Sequence, residues 1–204
     1  MSAAGVNAWD SHRVAPIAVI GMGNVLLGDD GFGPCVIGIL AAHWEFPDGV
    51  ELIDAGTPGL DLAGLLCGRE AVIFVDSVAA SAAPGELRFY RDGELQGALA
   101  LKPRVSPHDP ALAEALAIAG LVGEGPHRVR LVGVVPETVE VGVGLSPSVS
   151  AAAHRAAEFI VTELEDWDYA PRRRRKRAAP PLWWVGERDV APARDAEAAG
   201  QDGS

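Results

Sequence analysis

Three short apolar runs, each ending on glycine or aspartate, constrain this chain more than any other feature: VAPIAVIGMG at 14–23, VELID at 50–54 and AVIFVD at 71–76. Their β-branched side chains restrict rotamers and favour extended backbone. The first and third are apolar almost throughout, the pattern of a strand buried on both faces. Helical segments lie between the runs. From Gly31 to about Trp44, the residues Phe32, Val36, Ile37, Ile39 and Leu40 recur at helical spacing. Pro58 to Cys67 reads as a second helix, with Thr57 as N-cap and Pro58 at the first helical position, where its missing N–H costs nothing. Such alternation predicts an α/β fold, a parallel sheet covered by helices on both faces.

GELRFYR at 85–91 alternates apolar and polar residues and follows the third strand after only eight residues, SVAASAAP. A parallel crossover needs about a dozen residues, so this strand is predicted to be antiparallel and at a sheet edge. Pro110 to Leu121 reads as a helix and Arg128 to Val135 as the last strand. A long amphipathic helix is predicted from about Pro147 to Trp167, with Ser146 as its N-cap. After Ala170 the composition changes to PRRRRKRAAPP and then to Ala, Gly and Asp. One domain is therefore expected over 1–170, with 171–204 a largely disordered tail. Trp183 and Trp184 stand out there, because two adjacent indoles are costly to leave in water; they either dock, on the body or on a partner, or stay undocked with the tail.

The 204 residues are 49% hydrophobic, enough for one sizeable core. No apolar run reaches the roughly 18 to 20 residues of a membrane-spanning helix. The start, MSAAGVNAWDSHRVAP, lacks the basic-then-apolar pattern of a secretory signal, so a cytoplasmic protein without membrane contact is expected. Cys35 and Cys67 provide neither a disulfide framework nor a paired-thiolate zinc motif. Cys35 lies among apolar helix neighbours and reads as core, not nucleophile. The net charge of −11 is uneven: residues 1–170 hold 9 Lys+Arg against 23 Asp+Glu, whereas 171–204 carry +3. An acidic body repels phosphates and argues against a nucleic-acid partner.

The loop GMGNVLLGDDGFG at 21–33 joins the first strand to the first helix, where dinucleotide-binding proteins carry GxGxxG. Leu26 stands where the third glycine would be. More telling is the pair Asp29 and Asp30 at the helix start. A helix N-terminus attracts anions, and two carboxylates already there would repel a pyrophosphate. The loop either holds a cation near its carboxylates or caps its own helix. Asp76 ends the third strand, at the carboxyl edge where open α/β sheets place their ligand crevice. If the first and third strands are neighbours, Asp30 and Asp76 face each other there; the plainer reading of Asp76 is a turn aspartate. His108, in SPHD at 106–109, is stiffened by Pro107. It is either a third member of this group or an exposed or capping histidine. His12, His43, His127 and His154 have no comparable setting and read as structural. Two carboxylates and an imidazole suit a divalent transition metal with open positions, but their separation in sequence is too long for a local motif. HExxH, an EF-hand loop and a Ser/His/Asp or Cys/His set are all absent from the sequence.

As a set, these segments resemble one family, the nickel–iron hydrogenase maturation endopeptidases, from residue 16 to about 165. GMGNVLLGDDGFG is similar to the family's N-terminal signature, and DAGT at 54–57 to its second segment. FVDS around Asp76, SPH at 106–108 and LVGVVPE at 131–137 follow in the family's order and spacing. The resemblance implies a single α/β domain with a five-stranded, mostly parallel twisted sheet and one antiparallel edge strand. It implies that Asp30, Asp76 and His108 bind metal, namely the nickel carried in by the substrate. Many relatives have Glu where this chain has Asp30, one methylene shorter. Asp54 matches a position tied to substrate recognition and cleavage.

The activity so implied is that of a nickel-recognising, aspartate-type endopeptidase. It would remove the C-terminal extension from the nickel-loaded precursor of a hydrogenase large subunit, with Asp30, Asp54, Asp76 and His108 as its working residues. The precursor is then the partner, nickel the one cofactor, and the free protein is expected to be monomeric. The metal would either polarise the scissile carbonyl or lower the pKa of a bound water. Asp54 would orient the chain or take a proton, although a carboxylate with a reference pKa of about 3.9 is a weak base at neutral pH. The absence of an evident nucleophile favours water attack over an acyl-enzyme. Two other classes compete. A non-catalytic nickel-sensing chaperone of hydrogenase assembly would bind the precursor without shortening it. A Rossmann-like nucleotide-binding oxidoreductase would bind NAD(P), against which the acidic loop and missing glycine count.

Overall fold

The structure, a computed structural model, describes residues 14–95, 109–176, 179, 180, 182 and 184. Its strands are β1 (Ile17–Met22), β2 (Trp44–Glu45), β3 (Val50–Gly56), β4 (Ala71–Ser77), β5 (Leu87–Arg91), β6 (Arg128–Val134) and β7 (Arg172–Arg173). Its α-helices are α1 (Phe32–His43), α2 (Leu62–Leu66), α3 (Asp109–Leu121) and α4 (Pro147–Asp166). The three apolar runs form adjacent strands, β3, β1 and β4, of a five-stranded sheet ordered β3-β1-β4-β6-β5, with β3 at one edge. β1 pairs in parallel with β3 and β4, and β4 with β6, whereas β5 runs antiparallel to β6. The short link after β4 thus does what its length demands: it passes beyond β6 and returns the chain in the opposite direction at the edge.

Both sheet faces are buried, which explains the absence of alternation in β1 and β4. Ile17, Val19, Ile73, Val75, Val132 and Val134 pack against α1 and α4. Ala18, Ile20, Met22, Val72, Phe74 and Leu131 face α2 and α3. Ala152, Ala153, Ala156 and Ala157 of α4 are fully buried, and their small side chains let the helix lie close to α1. Ser146 caps α4 as expected, its Oγ accepting from the Val149 N–H at 3.5 Å. Cys35 is core, and burial pushes its thiol up to about 12, which leaves no thiolate to attack anything. No described helix is long and apolar enough to cross a membrane.

Two expectations are corrected. Thr57 does not cap a helix starting at Pro58. Gly59 adopts φ +53°, a short 3-10 turn covers Gly59–Asp61, and α2 begins only at Leu62 with no side-chain cap. A left-handed residue cannot continue a right-handed helix, so the start is displaced past it. The body also extends beyond residue 170, because Arg172–Arg173 pair antiparallel with Trp44–Glu45. Arg173 lies over the Trp44 ring at 5.4 Å, so the cationic run is held by an aromatic face as well as by backbone bonds.

Candidate functional site

β1 and β4 are neighbours, and the connections after them lead to opposite sides of the sheet, to β3 and to β5. Their carboxyl ends therefore form the crevice expected of an open α/β sheet. The glycine loop fits into it through missing side chains. A Cβ on Gly33 would sit 2.2 Å from the Met22 carbonyl oxygen and 2.4 Å from that of Val75. Glycine here lets the start of α1 rest directly on both strand ends. Gly23 has φ +133°, and a Cβ there would fall 1.8 Å from the Asp30 carbonyl oxygen. Only glycine lets the loop fold back so tightly.

The two adjacent aspartates do different work. Asp29 is fully buried, and its Oδ2 accepts from the N–H groups of Glu137 (2.8 Å) and Thr138 (3.1 Å) and from Ser146 Oγ (2.9 Å). Its Oδ1 accepts from the Ser146 N–H at 2.6 Å. Asp29 thus pins the loop after β6, and the start of α4, to the glycine loop. Asp30, 3% exposed, faces the other way. Its Oδ2 accepts from the Asn24 N–H (2.8 Å) and its Oδ1 from Ser77 Oγ (2.9 Å). Neither aspartate side chain caps α1.

Asp76 is fully buried at the end of β4, and its Oδ1 accepts from the Ser77 N–H at 2.8 Å. Asp30 and Asp76 are thereby joined through one residue, Ser77, which bonds one carboxylate by its hydroxyl and the other by its backbone. Among the described residues no cationic side chain pairs with Asp30. Each of its oxygens accepts one bond, and carboxylate oxygens have room for more. His108 lies outside the described residues, as do Ser106 and Pro107. Among those described, no three His, Cys, Asp or Glu side chains form a metal-binding group.

Asp54 stands to one side. Gly21 of β1 is paired with Asp54 on β3 and with Val75 on β4, so Asp54 and Asp76 are separated by two strand spacings, about 10 Å. Asp54 is exposed, with Oδ1 accepting from the Gly56 N–H at 3.1 Å. It lines a cleft of about 210 Å³ together with Gly23, Asn24, Pro34, Thr57 and Trp184. Asn24 belongs to both places, bonding Asp30 through its N–H while bordering the cleft. A larger cavity of about 330 Å³ lies at the opposite, amino edge of the sheet, beside Asp92, His127 and Val129. Asp92 is committed there: it accepts from the Val129 N–H (2.8 Å) and pairs with Arg130 (2.6 Å).

Sequence reasoning missed Ser77 and Asn24. Ser77 directly follows Asp76, so a hydroxyl at a strand end was the available signal. Nothing local marks Asn24, because its role comes from the backbone turning back on Asp30.

Comparison with known proteins identifies the family and its fold. A family model described as hydrogenase maturation protease matches residues 34–163. The hydrogenase 2 maturation protease of Escherichia coli (strain K12) is 36% identical over 151 residues, spanning 74% of this chain and 91% of that protein. The hydrogenase expression/formation protein HoxM of Azotobacter vinelandii is 37% identical over 162 residues, 74% of this chain and 78% of that one. Among solved structures, the hydrogenase maturating endopeptidase HybD from E. coli superposes with a TM-score of 0.72 at 35% identity, covering 78% of this chain and 97% of that chain. The family model spans well over half of the chain and the relatives match along most of their length, so this chain belongs to the hydrogenase maturation protease family.

Proposed function

We propose that the protein is an endopeptidase that removes the C-terminal extension from the nickel-loaded precursor of a hydrogenase large subunit. The observation that carries this reading is the pair of buried carboxylates, Asp30 and Asp76, held together by Ser77 beside the Asp54 cleft. Burying two like charges side by side is costly unless a cation joins them. In this reading the cation arrives with the substrate. Asp30, Asp76 and His108 coordinate the precursor's nickel, a set of carboxylates and imidazole that suits a divalent first-row metal. A precursor without metal brings no ion for Asp30, Asp76 and His108 to hold and binds poorly, so loading is sensed before cutting.

The extension lies in the cleft. Asp54 uses one oxygen on Gly56 and keeps the other to accept an N–H of the extended chain, which fits positioning better than proton transfer. Cleavage is hydrolysis: water adds to the scissile carbonyl, a carboxylate of the site takes its proton, and the amine leaves protonated. The substrate's nickel lends Lewis-acid help.

The test uses purified precursor with and without nickel, followed by intact mass. The loaded form should lose the mass of its extension and the nickel-free form should not. Binding without mass loss would favour an assembly chaperone, and equal cutting of both forms would remove the metal-sensing step. His108→Ala and Asp76→Ala should each abolish trimming while the far-ultraviolet spectrum stays that of the parent; a variant that still trims takes its residue out of the set.

A further inference from the structure

The described residues after β7 stay on the body, with contacts spread from the carboxyl end of α1 to its amino end. The Arg174 N–H bonds the His43 carbonyl at 2.8 Å, and its Nε bonds the Trp44 carbonyl at 3.0 Å. Farther on, Leu182 packs against the core cluster under α1. A Cβ on Gly38 would lie 2.7 Å from Leu182 Cδ2 and 3.7 Å from Pro180 Cβ, so the helix leaves a notch at Gly38 that these two residues occupy. Two residues later, Trp184 walls the cleft beside Pro34, Gly23 and Asp54. Arg174, Leu182 and Trp184 therefore lie near residues 43, 38 and 34 of α1 in turn, the last at the carboxyl edge of the sheet.

We propose that this tail is an intrasteric brake: Leu182 anchors it in the Gly38 notch, and Trp184 obstructs the Asp54 cleft where a precursor's extension must enter. The inference rests on the proposed peptidase reading, since it needs that cleft to receive the substrate. The occupant and the proposed substrate share one chemistry, because both present a polypeptide segment to the Asp54 cleft. Substrate must displace the tail, so its apparent affinity is reduced by the fraction of molecules in which the cleft is open.

The test keeps the full chain and compares the parent with Trp184→Ala, Leu182→Asp and the double variant on nickel-loaded precursor. Relief of the brake should lower KM for the precursor by about tenfold in Leu182→Asp, with kcat unchanged, and lower KM at least as far in the double variant. In parallel, 19F NMR of the chain labelled with 5-fluorotryptophan reports the tail directly. The resonance lost in Trp184→Ala should sit away from the solvent position in the parent and move to it in Leu182→Asp. A parent resonance at the solvent position, or a KM that does not fall, overturns the brake while leaving the peptidase reading standing. Failure of every form to shorten the loaded precursor overturns the peptidase reading, and the brake with it.

Discussion

Asp29 and Asp30 are adjacent in sequence and equally buried, yet they belong to different parts of the molecule. Asp29 takes four hydrogen bonds from Glu137, Thr138 and Ser146, all on the segment that follows β6. Asp30 takes two, from Asn24 and Ser77, and turns toward Asp76. A carboxylate surrounded by donors is a structural clasp, with little acceptor capacity left for anything else. A carboxylate with few partners, close to another buried carboxylate, can take a metal. The contrast shows that charge and burial do not separate a clasp from a carboxylate with acceptor capacity to spare; the number and source of donors do.

Substitutions at these positions would test that division. Asp30→Asn should be the most severe for activity, lowering processing of the loaded precursor by about a hundredfold or more, because an amide is a poor metal ligand. It should leave the fold nearly intact, since the amide can still accept from Asn24 and donate to Ser77. A stability loss larger than that of Asp29→Asn would place the clasp at Asp30 instead. Asp29→Asn should cost about 2–3 kcal/mol, read as a shift in the denaturant midpoint, because an NH2 must then face donors that need an acceptor. An unchanged midpoint would show that the loop after β6 is held by other contacts. Ser77→Ala should have the smallest effect, about 1 kcal/mol in stability and roughly tenfold in processing, by loosening Asp30 relative to Asp76. Wild-type activity in that variant would mean that the two carboxylates are positioned by the backbone alone.

Much of this protein is legible in its sequence. β-branched apolar runs bounded by glycine mark β1 and β4, the eight-residue link after β4 makes β5 antiparallel, and Ser146 announces α4. These follow from local rules of backbone freedom, chain reach and capping, so the sequence alone determines them. The start of α2 was misjudged because Thr57-Pro58 is a good helix opening, whereas the left-handed turn at Gly59 depends on how β3 hands the chain to α2. The ribbon of β2 and β7 was invisible for a related reason: two-residue strands carry no periodicity, and Trp44 meets Arg173 only once α1 has brought them together.

The site divides in the same way. Its acidic character and its place at strand ends were already in the sequence, through Asp29, Asp30 and Asp76. Which aspartate serves the fold and which faces the crevice was decided by tertiary structure, because donors from residues 137–146 reach Asp29 across more than a hundred positions of chain. The link from Asp30 to Asp76 through Ser77, and the place of Trp184 beside Asp54, are likewise contacts between distant segments. Local sequence sets the elements and their chemistry; only packing sets which side chains meet, because that depends on the order of the strands and on where glycine lets backbones touch.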